Sequence, residues 1–165
     1  MQDKTASPPL SIRSLFERAG WSPARQVQVS ARVPIGHPAR AILCSFTGLR
    51  VGESGPGVDC AASDIAFRDE DSEFETEWSP HLGSQLICVG GLHNEHGELF
   101  IDSRGRVFGA SLIHDAFWFE GADVWTGIEG ALLGRRSRPV LHPTQDAVTL
   151  YGERYARGDP RIYLP

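Results

Sequence analysis

Lysine is almost missing from this sequence: Lys4 stands alone beside fifteen arginines in 165 residues. A Gly-rich phosphate loop closing on Lys-Ser or Lys-Thr is therefore absent, and so is a buried lysine for Schiff-base chemistry, which removes nucleotide hydrolysis from consideration. Long hydrophobic runs are missing as well. No stretch reaches the ~20 apolar residues of a membrane helix, and the opening MQDKTASPPL has neither the basic nor the apolar region of a secretory signal. The expectation is a soluble cytoplasmic protein without membrane contact. Cysteine is scarce: Cys44, Cys60 and Cys88 are odd in number and lack ligand-like spacing, and Cys44 and Cys88 sit in the apolar runs AILCSF and QLICVG. Reduced, buried thiols follow from that pattern. A nucleophile elbow beginning at Gly109-Ala110-Ser111 is incomplete, because Ile113 stands where its second glycine belongs.

What is present fits one domain with tails, since 165 residues at 41% hydrophobic content suffice for one core and hardly for two. The net charge of −5 hides an asymmetry. Residues 1–134 carry ten Lys or Arg against eighteen Asp or Glu, a balance of −8; residues 135–165 carry six against three, a balance of +3. An acidic body repels phosphate backbones, which disfavours direct nucleic-acid binding and favours a basic partner. Solubility alone is the plainer use of such a charge.

The pattern of elements is α+β. Residues 1–9 are polar and Pro-containing and read as a disordered N-terminal tail. In SIRSLFERAGW, Ile12, Leu15, Phe16 and Ala19 share a helical face, with Gly20 as the left-handed stop. Ser22-Pro23 has the form of an N-cap and first-turn proline, predicting a second helix toward Arg32. ARAILCSF predicts a helix ended by Gly48, followed by a short extended LRV and a brief strand at 64–67. RDEDSEFETEW reads as a helix with Phe74 and Trp78 buried and Glu73 and Glu77 outward, terminated by Pro80 and Gly83; a strand would instead line up Glu73, Glu75 and Glu77. QLICVG, ELFID, RVFGAS and AFWF form an antiparallel meander, and a closing helix over 122–133 ends at Gly134. The basic, Pro- and Tyr-containing residues 135–165 lack periodicity and read as an extended tail.

Few residues carry chemistry. GLHNEHGELF gathers His93, Glu95, His96 and Glu98, types that can share a divalent metal. It is neither the His-Glu-x-x-His of zinc proteases nor a deaminase site, which needs a Pro-Cys-x-x-Cys partner. With Gly90, Gly91 and Gly97 around it, a polar hairpin loop explains it better; a metal-dependent enzyme using His93 and His96 stands as the alternative. A cysteine near His114 would imitate a thiol protease, but nothing in the sequence brings the two together. Carboxylate pairs for glycoside chemistry arise by chance among eighteen acids.

With these elements in order, the chain resembles the immunity proteins of the SUKH superfamily, in its third subfamily. The resemblance rests on Ala19-Gly20-Trp21 followed by Pro23, Ala24, Arg25 and Val27; on Gly36, Leu43, Phe46, Gly48 and Leu49; and on Leu82-Gly83, LICVGG, the hairpin ELFIDSRGRVF with Gly105, and the helix ending at Gly134. Gln28 stands where an acidic residue is expected, Thr47 replaces a glycine and Cys88 a proline. The similarity covers residues 10–134 and leaves 135–165 outside. It implies a SUKH-like scaffold without catalysis, metal or cofactor, which binds a cognate polymorphic toxin in the producing cell; such toxins are commonly nucleases or nucleic-acid deaminases. A cellular partner other than a toxin, bound by a regulatory adaptor, is a further alternative.

A toxin that grips nucleic acid presents a basic cleft, and an acidic surface can fill it. The segment with Asp69, Glu70, Asp71, Glu73, Glu75 and Glu77 is the candidate toxin-binding patch. A solvated helix face over buried Phe74 and Trp78 is its ordinary reading. Gly20, Trp21, Arg25, Gly48, Leu49 and Gly105 are expected to serve the fold, with Trp21 in the core.

Overall fold

The computed structural model describes residues 5–165. In chain order its elements are α1 (Arg13–Arg18), α2 (Pro38–Phe46), β1 (Arg50–Val51), β2 (Gly55–Pro56), β3 (Ala61–Ala62), β4 (Ile65–Phe67) and α3 (Glu73–Leu82). Then follow β5 (Leu86–Leu92), β6 (Gly97–Asp102), β7 (Val107–Ser111), β8 (Phe117–Gly121), α4 (Val124–Leu133), β9 (Arg138–Val140), β10 (Ala147–Leu150) and β11 (Glu153–Ala156). Seven strands make one sheet in the order β1-β4-β5-β6-β7-β8-β9, every neighbouring pair antiparallel. The α+β class and the antiparallel meander of QLICVG, ELFID, RVFGAS and AFWF are both present.

Strand alternation divides the core between the two faces of this sheet. On one face Ile87, Val89, Leu99, Ile101, Val107 and Trp118 pack with Phe16 of α1, Leu43 and Phe46 of α2, and Ile128 of α4. On the other, Cys88, Phe100, Phe108 and Phe117 meet Trp78 and Leu82 of α3. Trp78 stacks on Phe117 at 3.9 Å. Two buried faces account for strands such as LICVGGL, which is buried throughout. Helix α4 approaches closely because Gly127 sits against Val107: a Cβ there would lie 2.3 Å from the valine.

The helix expected from Ser22 does not form. Residues 22–33 run as turns and irregular chain because tertiary partners take their polar groups. Arg25 donates to the Ser45 and Thr47 carbonyl oxygens at 3.0 and 2.8 Å, and the Val27 N–H donates to the Cys44 carbonyl at 2.7 Å. These bonds satisfy carbonyls at the C-terminal end of α2 that no helix bond can reach. Thr47, the residue in place of a glycine, leaves its Oγ1 buried without a partner among the described residues. Pro80 does not end α3 either; the helix continues over it to Gly83, which takes the left-handed cap.

Residues 135–165 are a second departure, since they are folded onto the body and not extended from it. β9 adds to the sheet edge beside β8, and Val148, Tyr155 and Ile162 enter the core on the α1, α2 and α4 side. β10 and β11 form a hairpin whose two turn residues, Tyr151 and Gly152, both have positive φ (54° and 72°), the turn that matches strand twist. Residues 1–4 of the expected N-terminal tail lie outside the described residues. Of the remainder, Pro8 is buried and the Ala6 N–H donates to Ser45 Oγ at 2.7 Å.

Candidate functional site

Folding splits the acidic segment into two sets. Arg32, from the irregular 22–33 stretch, reaches across to α3 and donates to Asp69 at 2.8 Å, Glu75 at 3.0 Å and the Cys88 carbonyl at 2.8 Å. Asp69 also accepts from the N–H and hydroxyl of Ser30 at 2.6 and 2.9 Å. Burial raises the Asp69 carboxyl, but the Ser30 bonds and Arg32 outweigh it and hold the group below its ordinary value. Glu75 is shifted the other way: its burial outweighs the Cys88 N–H, at 2.7 Å, and Arg32. Both carboxylates therefore tie loop, helix and sheet together.

The other four remain on the surface. Glu70, Asp71, Glu73 and Glu77 are exposed, and their one ion pair among the described residues is a loose 3.6 Å contact from Arg68 to Glu70. Glu73 and Glu77 are one turn apart on the same helix face. Ser72 caps α3 by accepting from the Phe74 N–H at 3.3 Å, and the acids of the first turn suit the positive end of the helix dipole. Phe74 and Trp78 pack inward on the sheet, so the helix register read from the sequence is the observed one.

The histidine hairpin joins β5 to β6. His93, Asn94 and Glu95 all have positive φ, 49°, 53° and 69°, a strained run for residues with side chains. It is held by the His93 N–H donating to Ser63 Oγ and the Asn94 N–H to Asp64 Oδ1, each at 2.9 Å. Glu95 is engaged by Arg68 at 2.6 Å and Arg50 at 3.3 Å. Among the described residues no group of three or more His, Cys, Asp or Glu side chains is placed to hold a metal ion.

The thiols are equally quiet. Cys44 and Cys88 are buried and unpaired in any disulfide, Cys60 is half-buried, and burial pushes the Cys88 thiol up to about 12, the reverse of nucleophile activation. Ser111 Oγ accepts the Ile113 and His114 N–H groups at 3.2 and 3.0 Å, as a turn residue does. Gly20 and Gly48 have φ of 101° and 90°, Gly105 turns β6 into β7 at 83°, Leu49 packs on the core, and Trp21 is 5% exposed beside Phe46.

One feature escaped the reading of the sequence. The C-terminal hairpin encloses, against β8, a cleft of about 830 Å³ lined by His114, Trp118, Val148, Leu150 and Tyr151 among others. Below it Trp118 Nε1–H donates to Glu120 Oε1 at 2.6 Å. Burial lifts the Glu120 carboxyl to about 7, opposed only by that bond. The available signal was the Trp-x-Glu spacing in a strand, which puts both side chains on one face; the enclosing hairpin gave no such cue.

The family model described as SUKH-3 immunity protein matches residues 8–134, well over half of the chain and ending at the Gly134 cap of α4. No curated protein and no solved structure matches the chain.

Proposed function

Because the chain belongs to the SUKH-3 immunity protein family, we propose that it binds a protein toxin made by the same bacterial cell and neutralises it in the cytoplasm by occlusion, without catalysis. The toxin is a nuclease or nucleic-acid deaminase domain with a basic cleft. The observation that carries this reading, beyond family membership, is the set of four exposed carboxylates on and before α3, whose one ion pair among the described residues is the loose contact of Arg68 with Glu70, while Asp69 and Glu75 fix the helix beneath them. Like charges held at the surface of a rigid helix attract a basic cleft over a distance and set its orientation. They compete there with the nucleic-acid backbone, which uses the same charges.

The test is co-expression of this chain with the toxin domain encoded by the neighbouring gene. Growth is restored if the reading is right, and the two proteins co-purify at one-to-one stoichiometry. Continued killing with both proteins soluble contradicts it. No helix among the described residues is long and apolar enough to cross a membrane.

A further inference from the structure

Asp64, Asp69, Glu75 and Asp102 are withdrawn from solvent, and each faces an arginine. Glu120 does not. Its Oε1 accepts from Trp118, and its Oε2 has no donor among the described residues. A space of about 70 Å³ lies beside it, bounded by Gly130, Arg135 and Cys60 and sharing Ala61, His93, Trp118, Leu150 and Tyr151 with the larger cleft. Among the described residues that bound the space Arg135 is the one cation, and it is not paired with Glu120. Burial lowers His93 and raises Cys60, so both favour their neutral forms, and burial pushes Tyr151 up to about 12. Arg136 turns away to Glu153 and Tyr155 and lies over the Tyr151 ring at 4.7 Å.

The cleft lining combines apolar groups with the polar His114, Asp115, Gln145 and Arg154, and exposed apolar side chains lie next to it in sequence, between Ser111 and His114. Leu112 is 53% exposed, Ile113 61% and Tyr151 38%, and Tyr151 holds a strained positive φ. Exposed aliphatic and aromatic groups around a recess mark a protein contact more than a polar metabolite site. Trp118 is itself fixed in place, since a Cβ on Gly109 would lie 2.3 Å from its ring.

Resting on the neutralisation reading above, we propose that this cleft receives an arginine side chain of the bound toxin, the guanidinium passing between Trp118 and Tyr151 to the free oxygen of Glu120. Arginine fits better than lysine because its planar, weakly hydrated cation tolerates burial and lies on aromatic faces, as Arg136 already does on Tyr151. Val148 and Leu150 of the wall, with Leu112 and Ile113 next to the lining in sequence, take aliphatic neighbours of that arginine. The hairpin that forms one wall falls outside residues 8–134, the part that the family model matches, whereas Trp118 and Glu120 fall inside it.

The probe is the capped peptide acetyl-Leu-Arg-Leu-amide, titrated into the full chain at pH 8 while the Trp118 indole N–H resonance is followed. A saturable shift is expected, absent with acetyl-Leu-Gln-Leu-amide and lost in Glu120→Gln and in Thr149→Arg, which fills the cleft from an exposed strand position. No shift in the unaltered chain, or equal shifts with the two peptides, overturns the proposal. Binding of the toxin domain separates the two claims. If the unaltered chain fails to bind it, the neutralisation reading falls. If the unaltered chain binds and Glu120→Gln binds at least ~30-fold more weakly, the arginine site stands; equal affinity removes it while leaving neutralisation intact.

Discussion

The carboxylates beneath α3 and the carboxylate beneath the C-terminal hairpin are all half-buried, yet they are partnered in opposite ways. Asp69 and Glu75 share one guanidinium, two backbone N–H donors and a hydroxyl. Glu120 has one indole N–H and open space. A half-buried carboxylate with a full complement of partners belongs to the scaffold, whereas one with an unpaired, accessible oxygen is open to a ligand. The difference assigns the first pair to architecture and leaves the exposed acids and Glu120 available to a partner.

The strongest way to break this comparison is Arg32→Ala. It strands two carboxylates and a carbonyl, and a loss of about 2–3 kcal/mol is expected from urea unfolding at pH 7, discounted for partial exposure; a loss below ~0.5 kcal/mol would mean that the ion pairs are incidental. Glu120→Gln is expected to act in the other direction. An unfolded glutamate ionises near its ordinary 4.5, the folded Glu120 near 7, so the folded chain holds the extra proton between those values and stability falls as pH rises through that window. Replacing it by Gln therefore stabilises the chain by about 1–2 kcal/mol at pH 8, and thermal melts of the two proteins should converge at pH 4. The smallest effect on stability belongs to the four exposed acids. Reversing Glu70, Asp71, Glu73 and Glu77 to lysine is expected to change unfolding free energy by no more than about 1 kcal/mol, chiefly from the first turn of α3.

Much of this architecture was legible because it is local. The meander is written in apolar segments separated by the turn-rich NEHG and SRG, and α3 in the spacing of Phe74 and Trp78 with Gly83 at its end. The false helix at Ser22 shows the limit of local signals. Its Ser-Pro start is sound, but Arg25 and Val27 find better partners on α2, a long-range choice that propensity does not contain. The C-terminal hairpin was hidden for a related reason, since its turn begins on Tyr151 where asparagine or glycine would have announced it. At the candidate surface, the run of six acids was visible as composition. Its division into two structural and four exposed groups was not, because Arg32 lies 37 residues before Asp69. Glu120 was invisible as a site until the hairpin enclosed it.

The central claim is that the exposed acids on α3 steer a basic toxin onto this protein. Its most direct test is stopped-flow association with the neighbouring gene's toxin domain, comparing the unaltered chain with the Glu70, Asp71, Glu73 and Glu77 reversal from 20 to 500 mM salt. The expected result is a rate constant about tenfold or more lower for the variant at low salt, with the two converging at high salt. Equal rates at 20 mM, with both proteins folded, would contradict it.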